Sequence, residues 1–284
     1  MGRYRKILVA VDGSESSKNA FRQACRLAGD GVFRITAVTA VPLYQDQFEV
    51  LGIKEKATRV LRDAGEKVLA WVRTAAEEEG VTVKTVLGEG SPFEVILGEA
   101  LDGGHDLIVM GRRGKTAAER AFIGSNSARV IGHAPVDVLI IQKGASVGWE
   151  KLLLPTDGSC NSEEASVRAV NLARSYGSRL LSANVVDVTE DFHEKAPEAV
   201  EQIIQKSRSI LAKVRAKAAE AGVKSETFVM EGEPYRAITD LARDNGAGVI
   251  VMGSHGRTGL KSLLMGSVTE KVIGHASCPV LVVK

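Results

Sequence analysis

The run MGRRGKTAAERAFIGSNSARVIGH, Met110 to His133, concentrates residue types that handle phosphate: glycines, arginines, a lysine and hydroxyls. Its GRRGKT core resembles the end of a Walker A loop, G-x-x-x-x-G-K-[ST], in which glycine amides cradle phosphates and a lysine reaches them. The spacing excludes that reading. The first glycine would fall at Val109, inside an apolar run, and a second copy of the run, with Gly256-Arg257-Thr258, has Val251 there. What the two copies share is a longer frame. Gly111 and Gly114 are followed, after nine residues, by Gly124-Ser125; Gly253 and Gly256 are followed in the same way by Gly266-Ser267. Glycines permit positive φ and let a ligand approach the backbone closely. A Gly-Ser pair that opens a helix offers N–H groups, the positive end of the helix dipole and a hydroxyl, which together suit an anion. A plainer reading stays open on spacing alone: the glycines are turn residues, and Ser125 and Ser267 are N-caps.

The elements that must position this frame are also written twice. Lys6 opens KILVAVDGS and Lys151 opens KLLLPTDGS, 145 positions later. His105 opens HDLIVMGRRGKT and Ala247 opens AGVIVMGSHGRT, 142 positions later, so the second copy is three residues shorter in between. A repeat this long is a whole domain rather than a solenoid unit. The expected domains are 1–143 and 149–284, joined by the small-residue linker 144–148. Each copy alternates strand and helix. KILVAVD is a near-continuous apolar run, as a strand buried on both faces must be. SESSKNAFRQACRLA follows as a helix with Ser14 as N-cap, then the strand FRITAVTAV and a long amphipathic helix ending at Gly80. The strand VTVKTVL, a helix from Ser91-Pro92 with a capping serine, the strand DLIVMG, the helix SNSARVIGHA and the strand VDVLIIQ complete the unit. Such β-α alternation predicts an α/β fold: two doubly wound domains, each with a five-stranded parallel sheet, helices on both faces and ligands at the carboxyl ends of the strands.

Composition narrows the function. Across 284 residues the net charge is +2 and aromatics are 5%, which argues against nucleic-acid and anionic-membrane partners. The three cysteines, Cys25, Cys160 and Cys278, are far apart and form no C-x-x-C pair, so neither a disulfide framework nor a zinc site is expected. With no secretory pattern at the start and no apolar run of roughly 18 residues, the expected location is the cytoplasm. His133 and His275 end matching helices and suit C-terminal caps. No Ser/His/Asp set or nucleophile elbow is present, and Ser14 and Ser159 read as N-caps.

With both strands ending in Met-Gly and Asp-Gly-Ser closing the first strand, the G-2x-G-9x-G-[ST] frame resembles the universal stress protein family over essentially the whole chain. The resemblance implies two tandem flavodoxin-like domains and binding of ATP or another adenine nucleotide. By the same resemblance Asp12 and Asp157 stand beside the adenosine end, with Pro155 preceding the second of them. Val41 and Val186 match the residue whose backbone meets adenine. Met110, Gly111 and Gly114, and Met252, Gly253 and Gly256, match the ribose and phosphate turn. Gly124, Ser125 and Asn126, and Gly266, Ser267 and Val268, match the phosphate-binding helix start. The second copy keeps Gly259 and Cys278-Pro279, where the first has Ala117 and Val136-Asp137, so the second site is the more faithful one. The first is expected either to bind nucleotide more weakly or to hold a different anion, since Arg112, Arg113 and Lys115 add charge. The function expected is a stress-response module that holds ATP with Mg²⁺ and alters contacts with a regulatory protein partner. The alternatives are a slow ATPase or phosphotransferase, and a nucleotide-free dimeric scaffold. The apolar last strands of the two copies predict an intrachain pseudo-two-fold pairing of the domains, and the resemblance adds a homodimer.

Overall fold

A computed structural model describes residues 3–28, 34–42, 54–114, 123–256 and 264–284. The chain divides into two compact units, Tyr4–Gly144 and a second built on Ala145–Lys284.

The first unit runs β1 (Lys6–Ala10), α1 (Glu15–Ala28), β2 (Arg34–Val41), α2 (Lys54–Glu78), β3 (Val83–Glu89), α3 (Pro92–Asp102), β4 (Leu107–Gly111), α4 (Ser125–His133) and β5 (Asp137–Ile141). Its strands lie in the order β3-β2-β1-β4-β5, and the pairs are parallel. Helices α1 and α2 pack together on one face, α3 and α4 on the other. Covering both faces requires strands that are apolar throughout, and Ile7, Leu8, Val9, Leu107, Ile108 and Val109 are fully buried. Phe21 of α1 meets Trp71 of α2 edge-on, ring centroids 5.9 Å apart, within the first of these layers. The buried Asp137, where the second copy has Pro279, accepts a 2.6 Å hydrogen bond from the Tyr4 hydroxyl.

The second unit repeats this plan with β6 (Lys151–Pro155), α5 (Cys160–Tyr176), β7 (Arg179–Val186), α6 (Glu190–Lys195), α7 (Pro197–Glu220), β8 (Ser225–Glu231), α8 (Pro234–Asp244), β9 (Val249–Gly253), α9 (Ser267–His275) and β10 (Val280–Val283). Its order, β8-β7-β6-β9-β10, is that of the first unit position for position. Each unit is therefore the expected five-stranded, flavodoxin-like doubly wound domain. In each the order reverses beside the first strand, between β1 and β4 and between β6 and β9, where the two crossovers leave in opposite directions and open a crevice.

Two details differ from the sequence expectations. Ser91 stands at the N-cap position of α3, yet its side chain makes no capping bond; Pro92 at N1, which has no N–H to satisfy, sets that helix start instead. Within the non-repeating segment after β7, Thr189 caps a short helix of its own, α6, before α7 begins at Pro197. The matching segment of the first copy, 43–53, lies outside the described residues, as do Lys115, Ala117, Arg257 and Gly259. Among the described residues no helix is long and apolar enough to cross a membrane.

Candidate functional site

The crevice is built first by the turn that leaves β1 and β6. Gly13 and Gly158 adopt φ of +80° and +78°, a left-handed conformation that reverses the chain from strand to helix. The Oδ1 atoms of Asp12 and Asp157 then accept the Ser14 and Ser159 N–H groups at 2.9 and 3.0 Å. Ser14 and Ser159 cap α1 and α5 through bonds from the Ser17 and Ser162 N–H groups, as expected. The aspartates are thus held at the mouth of each crevice, each keeping Oδ2 toward the glycine turn.

That turn works differently from the expectation. None of Gly111, Gly114, Gly124, Gly253, Gly256 and Gly266 has positive φ. At Gly111, Gly114, Gly253 and Gly256 other atoms stand too close for a Cβ. At Gly253 a Cβ would lie 2.7 Å from the Asn161 carbonyl oxygen, and at Gly111 it would lie 2.6 Å from Ser16 Oγ, so the first helix of each unit packs on the strand end. At Gly114 and Gly256 it would meet the Oδ2 atoms of Asp12 and Asp157 at 2.6 and 2.8 Å. Gly124 and Gly266 close the loop by donating N–H to the Arg112 and Ser254 carbonyls at 2.9 and 2.8 Å.

The serines also differ from the N-cap reading. Gly124 and Gly266 are the N-caps; Ser125 and Ser267 are the first helical residues, and among the described residues no side chain caps either helix. The first-turn N–H groups of α4 and α9 therefore keep their donor capacity for an anion. The next hydroxyl is structural: Ser127 and Thr269 donate to the Gly111 and Gly253 carbonyls at 3.1 and 3.0 Å, fastening the helix start to the strand end. No cysteine is among the described residues lining the crevices. Burial pushes the Cys25 thiol up to about 12 and the Cys278 thiol up to about 11, so both stay protonated.

In the second unit these pieces enclose a cavity of about 380 Å³. Pro155, Asp157, Met252, Gly253, Gly256, Gly266, Ser267 and Val268 all line it. One end is apolar, with Pro155, Ala183, Val185, Pro234 and Ile238; the other carries the glycine turn, His255 and the uncapped start of α9. Such a cavity suits a ligand that carries both an apolar group and an anion. Asn184 and the pair Pro234 and Ile238 were not singled out from sequence. Asn184 donates 2.7 Å to the Thr156 carbonyl and so holds the end of β6. Pro234 and Ile238, four residues apart on one face of α8, repeat Pro92 and Ile96 of α3, a signal the duplication carries.

In the first unit Asp12, Met110, Gly111, Gly114, Gly124, Ser125 and Asn126 line a smaller cavity of about 160 Å³. Val41 and Val186 stand apart. The preceding residues, Ala40 and Val185, line the two cavities instead. The Val41 and Val186 carbonyls accept the Gly90 and Gly232 N–H groups at 2.9 and 3.1 Å, and Val186 borders an adjoining cavity of about 320 Å³. The histidines cap as expected: His133 Nδ1 lies 2.9 Å from the Arg129 carbonyl and His275 Nδ1 lies 2.7 Å from that of Lys271, away from both cavities. Among the described residues no three His, Cys, Asp or Glu side chains are grouped to hold a metal.

Comparison with known proteins agrees with the duplicated fold. A universal stress protein of Methanocaldococcus jannaschii is 40% identical over 149 residues, covering 51% of this chain and 87% of its own. One from Mycolicibacterium smegmatis is 29% identical over 98% of this chain and 96% of its own. The crystal structure of a universal stress protein from Archaeoglobus fulgidus has the same fold, with a TM-score of 0.72 at 23% identity over 98% of this chain and 96% of that one. The profile of the universal stress protein family matches residues 3–142 and again 148–284. With both units matched along nearly their whole length, the chain is a tandem member of the universal stress protein family.

Proposed function

We propose that the second unit binds an adenine nucleotide, ATP in particular, and that occupancy alters the contacts of the protein with a regulatory partner in a stress response. The observation that carries this reading is the cavity at the ends of β6 and β9, apolar at one end and amide-lined at the other. Its volume of about 380 Å³ lies within the roughly 300–1,000 Å³ common to small-molecule sites. Adenine fills the apolar end between Pro155, Val185 and Ile238. Asp157 accepts from the ribose hydroxyls, and the first turn of α9 holds the phosphates. Membership of the family supports this assignment.

Magnesium fits as a passenger on the phosphates. A Mg²⁺ ion is commonly held by one or two carboxylates together with substrate phosphates. Asp157, the carboxylate among the described residues lining this cavity, is engaged by the ribose in this reading, so the ion would take its ligands from the phosphates and water. The metal would neutralise phosphate charge; the chain's own residues bind and orient the nucleotide.

Ser267→Pro tests the assignment. Gly266 already has φ −69° and ψ +146°, the extended conformation required before proline, and proline is well accepted at N1. The substitution therefore removes one N–H and the hydroxyl while keeping the helix. Titration calorimetry should show ATP affinity falling at least about tenfold with the melting temperature of the free protein unchanged. Wild-type affinity in this variant would remove the helix start from the phosphate site.

A further inference from the structure

The residues lining the first cavity all have counterparts lining the second, at the offsets of 145 and 142 positions set by the duplication. The two differ in what these positions carry. Val38 stands where Ala183 does, and Arg113 stands where His255 does. Val38 and Arg113 are larger than their counterparts, Ala10 and Ala40 are smaller than Pro155 and Val185, and the cavity is about 160 Å³ rather than about 380 Å³. Asn126 replaces Val268 and adds an amide at the start of α4.

The charge differs as much as the size. Among the described residues the Arg113 Nε–H is buried without an acceptor, and its side chain lines the cavity. Arg112 is its neighbour in the turn; burial and then the charge of Arg113 lower the pKa of its guanidinium. A buried N–H donor on a cation, next to a second, partly desolvated cation, favours an anion that accepts from it. The uncapped first turn of α4 faces the same space. Opposing charge comes from Asp12, which is exposed and already accepts the Ser14 N–H at 2.9 Å.

We propose that the first unit is a diphosphate site rather than a second nucleotide site, so that the two halves of the chain bind different ligands. The cavity is below the usual range for a nucleoside-sized ligand. Arg113 and the α4 amides supply donors for phosphate oxygens. The inference rests on the nucleotide reading of the second unit only for the contrast between them.

The test is calorimetric titration of the full chain with inorganic pyrophosphate, alone and after one equivalent of ATP, with adenosine as competitor. The expected result is one pyrophosphate per chain, unchanged by adenosine or by the first ATP equivalent. Arg113→Ala should weaken pyrophosphate at least about tenfold, the loss of one charge-assisted hydrogen bond, and leave ATP at one per chain with wild-type affinity. Arg113→His, which installs the residue of the other unit, controls for folding and should weaken pyrophosphate likewise. Two ATP bound per chain, pyrophosphate displaced by the first ATP equivalent, no pyrophosphate binding, or binding indifferent to Arg113 would each overturn the proposal. Loss of ATP binding alone, with Arg113-dependent pyrophosphate binding intact, would instead overturn the nucleotide reading of the second unit.

Discussion

Gly253 and Gly256 lie three residues apart in one turn, yet alanine at each should fail for a different reason. At Gly253 an added Cβ would sit 2.7 Å from the Asn161 carbonyl oxygen and 2.8 Å from its carbon, about 0.7 Å inside the ordinary contact distance of 3.4 Å. Those atoms belong to the backbone of the first turn of α5 and cannot rotate away. Overpacking of this kind costs about 1–3 kcal/mol, which lowers the melting temperature by roughly 2–10 °C. At Gly256 the Cβ would meet Asp157 Oδ2 at 2.8 Å, the far end of a flexible side chain. The carboxylate turns aside, and the 3.0 Å bond it accepts from the Ser159 N–H weakens, for about 1 kcal/mol or less of stability. Binding suffers more. Losing a hydrogen bond to a charged group costs about 1.5–3 kcal/mol, or roughly 10- to 100-fold in ATP affinity. Differential scanning fluorimetry without ligand and calorimetric titration with ATP separate the two effects. A Gly256→Ala protein that binds ATP as the wild type does would refute the placing of Asp157, and a Gly253→Ala protein of wild-type stability would refute the close-packing argument.

Other expectations follow from the same geometry. Tyr4→Phe leaves the buried Asp137 carboxylate without its 2.6 Å donor and should destabilise the chain by about 1–3 kcal/mol in urea unfolding, with ATP affinity unaltered. Gly158→Ala forces a side chain to φ +78° and places its Cβ 2.9 Å from Ile210 Cδ1, costing about 1–2 kcal/mol or more by the same assay. Among the cysteines only Cys160 is exposed, so a thiol reagent should titrate one group per native chain and three after denaturation. The raised Cys25 and Cys278 values also set a pH dependence. Thiols of the unfolded chain ionise near 9.0, whereas the folded chain keeps those protons to about 12 and 11. Above pH 9 the unfolded state therefore binds fewer protons, and stability should fall as pH rises, with no contribution from these groups below that point. A Cys25→Ser, Cys278→Ser protein should show a shallower alkaline decline.

The fold was legible because its strands are buried on both faces and because it is written twice. Apolar runs such as KILVA and LIVMG mark the sheet centre without any help from tertiary context, and the repeat fixes which run corresponds to which. The edges were less clear: VTVKTVL was expected from Val81, while β3 runs Val83–Glu89, since an edge strand has one neighbour and a weaker pattern. The glycine frame was visible but its cause was not. Close approach of Asn161 to Gly253, or of Asp157 to Gly256, depends on atoms about ninety to a hundred residues away, which local spacing does not contain. Positive φ belongs instead to Gly13 and Gly158, in the Asp-Gly-Ser turns. The difference between the cavities was hidden for a similar reason. Arg113 and His255 read alike as polar turn residues, and only their placement in the two linings brings either side chain into a cavity.

The central claim is that the second unit holds an adenine nucleotide. Mass spectrometry of small molecules released from the purified, desalted protein after incubation with MgATP tests it most directly, with Ser267→Pro treated in parallel. The account predicts one adenine nucleotide per wild-type chain and a large loss in the variant. No bound nucleotide in the wild type, or equal amounts in both proteins, would contradict it.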